Sequence, residues 1–260
     1  MMRWLGDYPI NPSPYQHTMR ITQITDLHVG EPGETAYGAD MRANFLKILA
    51  ETKKLNPNYL VITGDLCYDT GVRSIYAWMK IQLDALQIPY DVIAGNHDEP
   101  RLLAEVFGRQ ADLHDTELYF AKNINDTPIL FLDTTVGMMS EQQLTWLQQC
   151  LQSQYQAVTI FMHHPPLYAS MPWMDARYPL LNRDAVQQIL FAHPYPITVF
   201  CGHYHIDKTV QQRNVTMHIT PSCFFQIDQH SEDFKIDHLS IALREIEIDG
   251  EALRHSVFYF

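Results

Sequence analysis

The chain has 260 residues, 46% of them apolar and 12% aromatic, and a formal charge of −12 at pH 7. Its length and apolar content exclude a disordered chain and suit one large α/β domain or two small ones. The acidic balance, with no basic stripe, argues against a non-specific grip on nucleic acid, so a phosphate-bearing ligand would need a local attraction such as bound cations.

Residues 1–18 read as an irregular N-terminal arm, interrupted by Pro9, Pro12 and Pro14 and lacking the apolar stretch of a secretion signal. Strand-like runs and helical patterns then alternate. They are RITQIT (20–25), a helix over 39–55, YLVIT (59–63), a helix over 74–86 and YDVIA (90–94). ILFLD (129–133), a helix over 140–153, AVTIFM (157–162), a helix over 182–192 and ITVFC (197–201) follow. Ser140, three residues before Gln143, has the form of a capping box, and Asn182 precedes a helix with Asp184 in its first turn. Beyond residue 208 the character changes to β. Segments 238–248 and 253–260 flank Asp249-Gly250 and read as a hairpin.

No linker, repeat or low-complexity tract divides the chain, so a single domain over 1–260 is expected, with a β-rich part at 209–260. No run approaches the roughly 18 apolar residues of a membrane span. Cys67, Cys150, Cys201 and Cys223 show no CxxC spacing and read as reduced thiols, which makes a cytoplasmic protein the expectation.

In α/β folds of this order the chemistry collects at the C-terminal ends of strands. Asp26-Leu27-His28 follows the first run, Gly64-Asp65 the second, and Gly95-Asn96-His97-Asp98 the third. His163-His164 follows 157–162, and Gly202-His203-Tyr204-His205 follows 197–201. The run at 129–133 ends in the less distinctive Asp133-Thr134-Thr135. One motif alone is more often a polar strand end than a ligand; five in order, each behind an apolar strand, favour a metal centre. Asp26, His28, Asp65, Asn96, His163, His203 and His205 make seven donors, too many for one tetrahedral ion. The number suits two ions sharing a carboxylate, and mixed N and O donors without cysteine favour Mn, Fe or Zn. Cys201 reads as a small core residue. His17, His114, His193, His218, His230, His238 and His255 lack this context and read as surface or internally satisfied histidines.

The series DLH, GD, GNHD, HH and GHYH, from about Ile21 to His205, resembles the calcineurin-like metallophosphoesterase family. TPSCFFQID (220–228) and the terminal hairpin resemble its class III cyclic-nucleotide phosphodiesterase branch. The resemblance implies two packed β-sheets flanked by helices, a four-layer αββα sandwich with a binuclear metal centre at the strand ends. It implies that Asp26, His28 and His205 hold one ion, that Asn96, His163 and His203 hold the other, and that Asp65 bridges them. His97 would be general acid or charge stabiliser, Asp98 would orient it, and His164 would hydrogen-bond near the site without ligating. The pair Asp65 and Tyr68 also matches the GDxxY pattern of purple acid phosphatases, but His28 stands where those enzymes carry glycine, so Tyr68 is not expected to ligate.

The expected activity is metal-dependent phosphoester hydrolysis, in which a hydroxide shared by two cations attacks a small phosphodiester such as a cyclic nucleotide or glycerophosphodiester. A broad phosphomonoesterase and a non-catalytic scaffold of the same fold are the alternatives. The resemblance also carries the expectation of a homodimer. Segments 172–178 and 69–73 are further candidates for the cleft wall.

Overall fold

The computed structural model describes residues 18–124, 127–154, 156–250 and 252–260. The expected N-terminal arm therefore lies outside the described residues, apart from Thr18. In chain order the main strands are β1 (Met19–Ile24), β2 (Tyr59–Thr63), β3 (Tyr90–Ile93), β4 (Phe120–Ile124), β5 (Thr127–Phe131) and β6 (Val158–Phe161). They continue as β7 (Ile197–Cys201), β8 (Lys208–Gln212), β9 (Val215–Ile219), β10 (Ala242–Asp249) and β11 (Ala252–Tyr259). The helices are α1 (Met41–Leu55), α2 (Arg73–Asp84), α3 (Pro100–Phe107), α4 (Glu141–Gln152), α5 (Pro172–Arg177) and α6 (Arg183–Ala192).

Two mixed sheets form. One has the order β11-β10-β1-β2-β3 and the other β8-β9-β7-β6-β5-β4. The parallel pairs β1–β2, β2–β3, β5–β6 and β6–β7 point the chemistry-bearing strand ends in common directions. Period-two alternation divides the side chains of the six-stranded sheet between two cores. Phe131, Phe161 and Phe200 join the core that includes the five-stranded sheet and α1–α3. Their neighbours Leu130, Ile160 and Val199 join the core that includes α4 and α6. The layers thus run helices, sheet, sheet, helices, the αββα arrangement.

Between the sheets runs a file of stacked rings. Phe120–Phe131, Phe131–Phe161 and Phe161–Phe200 have centroids 4.5, 5.6 and 5.5 Å apart, and each pair is in register across adjacent strands. His218 on β9 continues the file 5.1 Å from Phe200. It is buried, with Nδ1 2.9 Å from Thr209 Oγ1, so it is a satisfied core histidine.

The sequence patterns differ from the elements in instructive places. Ser140 Oγ does accept from Gln143 N, at 3.1 Å, but the reciprocal half of the box is absent: Ser140 N donates to Glu117. The Gln143 amide instead bridges Asp133 N and Asp133 O. Asn182 makes no side-chain cap; its amide pairs with Met139 N and Met139 O. α3, too short to show a convincing period, starts on Pro100 with Glu99 accepting from Arg101 N and Leu102 and ends at Gly108 with φ 71°. The strands β8 and β9, read only as part of a β-rich region, escaped because β8 is a largely solvent-facing edge strand. The final hairpin closes on Asp249↔Ala252, and Gly250 takes φ 59°.

Candidate metal centre

Beyond the strand ends the chain continues in loops that hydrogen-bond to one another. Asp26 N donates to Gly64 O at 3.1 Å, His28 N to Asp65 O at 2.9 Å and Val29 N to Leu66 O at 2.8 Å. Five of the seven expected ligands have positive φ: Asp26 (52°), His28 (45°), Asp65 (51°), His203 (68°) and His205 (52°). Left-handed backbone is disfavoured for residues with a β-carbon, and its concentration here marks a region where local strain is held by the surrounding fold. Two glycines permit the close approach of the loops. A β-carbon on Gly64, itself at φ 94°, would stand 2.5 Å from His163 Nδ1, and one on Gly202 would overlap Thr25 Oγ1 and Asp26 Oδ2.

The structure brings all seven residues to one end of the sandwich. Asp26, His28 and His205 offer one converging group of ligand atoms, and Asp65, His163 and His203 a second. Each group draws on both sheets. Asn96 Oδ1 lies 3.1 Å from His163 Nε2, at the exposed mouth of the cluster, whereas the other six are buried. Asp65 also groups with His28 and His97.

The imidazoles are oriented by backbone carbonyls, which can only accept. His163 Nδ1 donates to Thr63 O at 2.8 Å, His205 Nδ1 to Phe225 O at 2.9 Å and His203 Nε2 to Tyr178 O at 3.0 Å. In the neutral rings the other nitrogens are then lone-pair donors, as metal-binding histidines require. His163 Nε2 stands 3.4 Å from Asp65 Oδ2 as well as close to the Asn96 carbonyl oxygen, and His205 Nε2 is 3.3 Å from Asp26 Oδ1 and 3.2 Å from His28 Nε2. His28 Nδ1 is buried and has no hydrogen-bond partner among the described residues. Lone pairs that face one another in a buried site call for cations between them, so the donor set fits metal.

Charge follows the same logic. Burial pushes His28 and His203 down to about 3, keeping them neutral. Burial would raise Asp26, but the neighbouring His205 and His163 outweigh it and bring it down to about 2. His163, although burial disfavours its charge, is drawn up to about 9 by Asp65 and Asp26. Two buried carboxylates thus attract positive charge into the cluster.

Asp98 stands differently from the sequence expectation. Its oxygens accept from Gly95 N (2.9 Å), Leu66 N (3.1 Å), Cys67 N (3.3 Å) and Tyr76 OH (2.9 Å), and burial, with the charge of Asp65, pushes its pKa up to about 6. The His97 ring instead places Nδ1 3.2 Å from Asp69 O. Asp98 therefore ties together the loops after β2 and β3, and Asp69 orients His97. The resemblance implied that Asp98 orients His97, but among the described residues the hydrogen bonds of Asp98 run to Gly95, Leu66, Cys67 and Tyr76 and none to the His97 ring.

His164 Nδ1 lies 2.9 Å from Thr134 Oγ1, and its ring packs 4.1 Å from His203; burial and those neighbouring imidazoles hold its pKa well below the usual value. Tyr204 is fully buried on the far side of its turn, with OH 3.0 Å from Asp175 Oδ1 and 3.4 Å from Arg183 Nη2. Asp175 also accepts from Ala169 N and Met171 N, so Tyr204 anchors the segment whose Tyr178 carbonyl orients His203. Cys201 is a buried core residue.

Above the cluster opens a cleft of about 520 Å³. His97, Tyr68 and Asp69 line it, as do Trp173, Met174 and Tyr178 from the 172–178 segment. Arg73 does not; it pairs with Glu105. Tyr37, Phe224, Phe225 and Phe234 form a further wall that the sequence reading missed, although the FF doublet was visible within TPSCFFQID. A larger groove of about 750 Å³ between α4 and α6 contains none of the cluster residues.

Residues 19–207 match the profile of the family described as calcineurin-like phosphoesterase. A protein of Fibrobacter succinogenes named as a probable cyclic nucleotide phosphodiesterase is 31% identical over 242 residues, 93% of this chain and 94% of that one. An Arcobacter nitrofigilis protein named as a probable glycerophosphodiester phosphodiesterase is 28% identical, covering 72% of each chain. In fold, a dimetal phosphatase from Danio rerio superposes with a TM-score of 0.65 at 16% identity, over 93% of this chain and 99% of the other.

Proposed function

Because this chain belongs to the calcineurin-like phosphoesterase family and is a metallophosphoesterase, we propose that it hydrolyses small phosphodiesters at a pair of metal ions held where the two sheets meet. In this reading Asp26, His28 and His205 hold one ion, Asn96, His163 and His203 hold the other, and Asp65 bridges them. The ions are Mn, Fe or Zn, in keeping with N and O donors and no thiolate. The observation that carries the reading is the convergence of carboxylate oxygens and imidazole nitrogens in two buried groups, with Asp65 Oδ2 facing His163 of one and His28 of the other.

When bound, such a metal pair supplies charge neutralisation for the phosphate and acidifies a water enough to serve as nucleophile. The protein supplies the rest. Thr63, Phe225 and Tyr178 carbonyls fix the imidazole tautomers, and Asp98 holds the two loops that carry Asp65 and Asn96 in register. His97 lines the cleft beside Asp65 with its ring steadied by Asp69, and in protonated form it gives a proton to the departing alkoxide.

Among the described residues the cleft lining contains no Lys or Arg, which favours a singly charged diester over a dianionic terminal phosphate. The relatives' names, covering cyclic nucleotides and glycerophosphodiesters, support the same class. The test is turnover of bis(p-nitrophenyl) phosphate against p-nitrophenyl phosphate in added Mn, with metal analysis of the same sample. Faster diester hydrolysis with two ions per chain is expected. Preference for the monoester would move the protein to the phosphomonoesterases, and silence with every metal and ester would make it a scaffold.

A further inference from the structure

The cleft has one wall built almost wholly of aromatic rings, and two ring-to-ring paths lead from the metal cluster to its rim. Phe224 lies 5.3 Å from His28 and 6.0 Å from Tyr37. Phe225 lies 4.9 Å from His205, 5.2 Å from Tyr37 and 5.9 Å from Phe234. Phe224 and Phe225 are buried, but at the rim Tyr37 is 55% exposed and Phe234 41% exposed, and they stand 5.8 Å apart. Large aromatic rings left in water at the mouth of a cleft offer a stacking surface.

The backbone under Tyr37 sharpens this. Thr35–Ala36 and Ala39–Asp40 form a minimal hairpin closed by the pair Ala36↔Ala39, and its two turn residues, Tyr37 and Gly38, have φ of 51° and 83°. This is the pattern of a two-residue turn in which Asn or Gly suits the first position. A tyrosine there works against local preference, as residues kept for binding often do. Its ring is presented on the tip of a tight, well-braced turn.

We infer that Tyr37, flanked by Phe234, is a specificity-determining residue that stacks on a planar, uncharged ring carried by one ester arm of the phosphodiester, so that the cleft favours nucleoside-bearing diesters over glycerol-bearing ones. The inference rests on the phosphodiesterase reading for its substrate, but the wall is a property of the cleft itself. With no Lys or Arg among the described lining residues, discrimination between diesters falls to the shape and polarisability of the ester arm. A base has a flat face to offer these rings, and glycerol has none.

The test is calorimetric binding of adenosine 5′-monophosphate and of glycerol 3-phosphate to the Mn-loaded full-length chain, which reads the wall without requiring turnover. The wild type is expected to prefer the nucleotide. Tyr37→Asn, which suits the turn, and separately Phe234→Ala, are expected to weaken nucleotide binding about tenfold, the scale of one lost base–aromatic stack, and to lower the nucleotide-to-glycerol ratio correspondingly. Equal binding of the two ligands by the wild type, or variants that weaken both alike, would overturn the inference. Failure of the phosphodiesterase reading would show separately, as no hydrolysis of bis(p-nitrophenyl) phosphate by a protein whose nucleotide preference persists.

Discussion

The carboxylate of Asp65 accepts the backbone N–H of His97 through Oδ1 at 2.9 Å, while Oδ2 faces His163 at 3.4 Å and His28 at 3.6 Å. One side chain thus fixes the loop carrying the proposed proton donor and touches both ligand groups.

Asp65→Asn is expected to lower the occupancy of both metals, not one, since an amide offers a single weaker oxygen donor where the carboxylate offers two. Activity should fall at least about 100-fold. Metal analysis of the purified variant checks this, and full two-metal content would refute the bridging assignment.

His97→Ala should slow hydrolysis of alkyl phosphodiesters by about 10²–10⁴, the range of general acid catalysis. The loss should be far smaller for p-nitrophenyl esters, whose leaving group needs little protonation. Equal losses on both ester types would remove His97 from the role of acid.

His218 gives a pH dependence with a definite sign. Burial, with His255 and Arg244 nearby, pushes its pKa down to about 3 from an ordinary 6.5. The unfolded chain then takes up this proton near pH 6.5 and the folded chain does not. The stability it contributes is complete above pH 6.5 and drains away as pH falls towards 3, by at most roughly 2 kcal/mol between pH 6.5 and 5. Urea unfolding of the EDTA-treated protein at several pH values should therefore show a shallower acid loss for His218→Gln than for wild type. Parallel curves would rule His218 out as a source of acid sensitivity.

Tyr204→Phe removes the hydroxyl that ties the metal-site turn to Asp175 and Arg183. A cost of about 1–2 kcal/mol is expected, with a melting temperature a few degrees lower. An unchanged melting temperature would mean that Asp175 and Arg183 suffice without it.

The strands that carry the chemistry were legible because they are apolar, β-branched and punctuated by ligand residues: Tyr59–Thr63 and Ile197–Cys201 agree with the sequence runs to the residue. What escaped was set by tertiary context. The left-handed backbone of Asp26, His28 and Asp65 has no glycine or asparagine to announce it, and depends on loops zipped together across two strands. The resemblance cast Asp98 as a partner for His97, whereas its partners Leu66 and Tyr76 are remote in the chain and no local pattern points to them. The aromatic wall joins Tyr37 to Phe224, Phe225 and Phe234 across nearly the whole chain, a proximity no local pattern encodes.

The file of rings from Phe120 to His218 sits between two sheets, and each ligand group takes members from both. The thickness of the hydrocarbon filling is consequently a gauge block for the gap between the two halves of the candidate metal site. A trimmed ring, as in Phe161→Leu, is expected to change how far Asp26 and Asp65 stand from His163 and His205. Such a lesion should surface first as altered metal preference, while the sandwich itself is still folded.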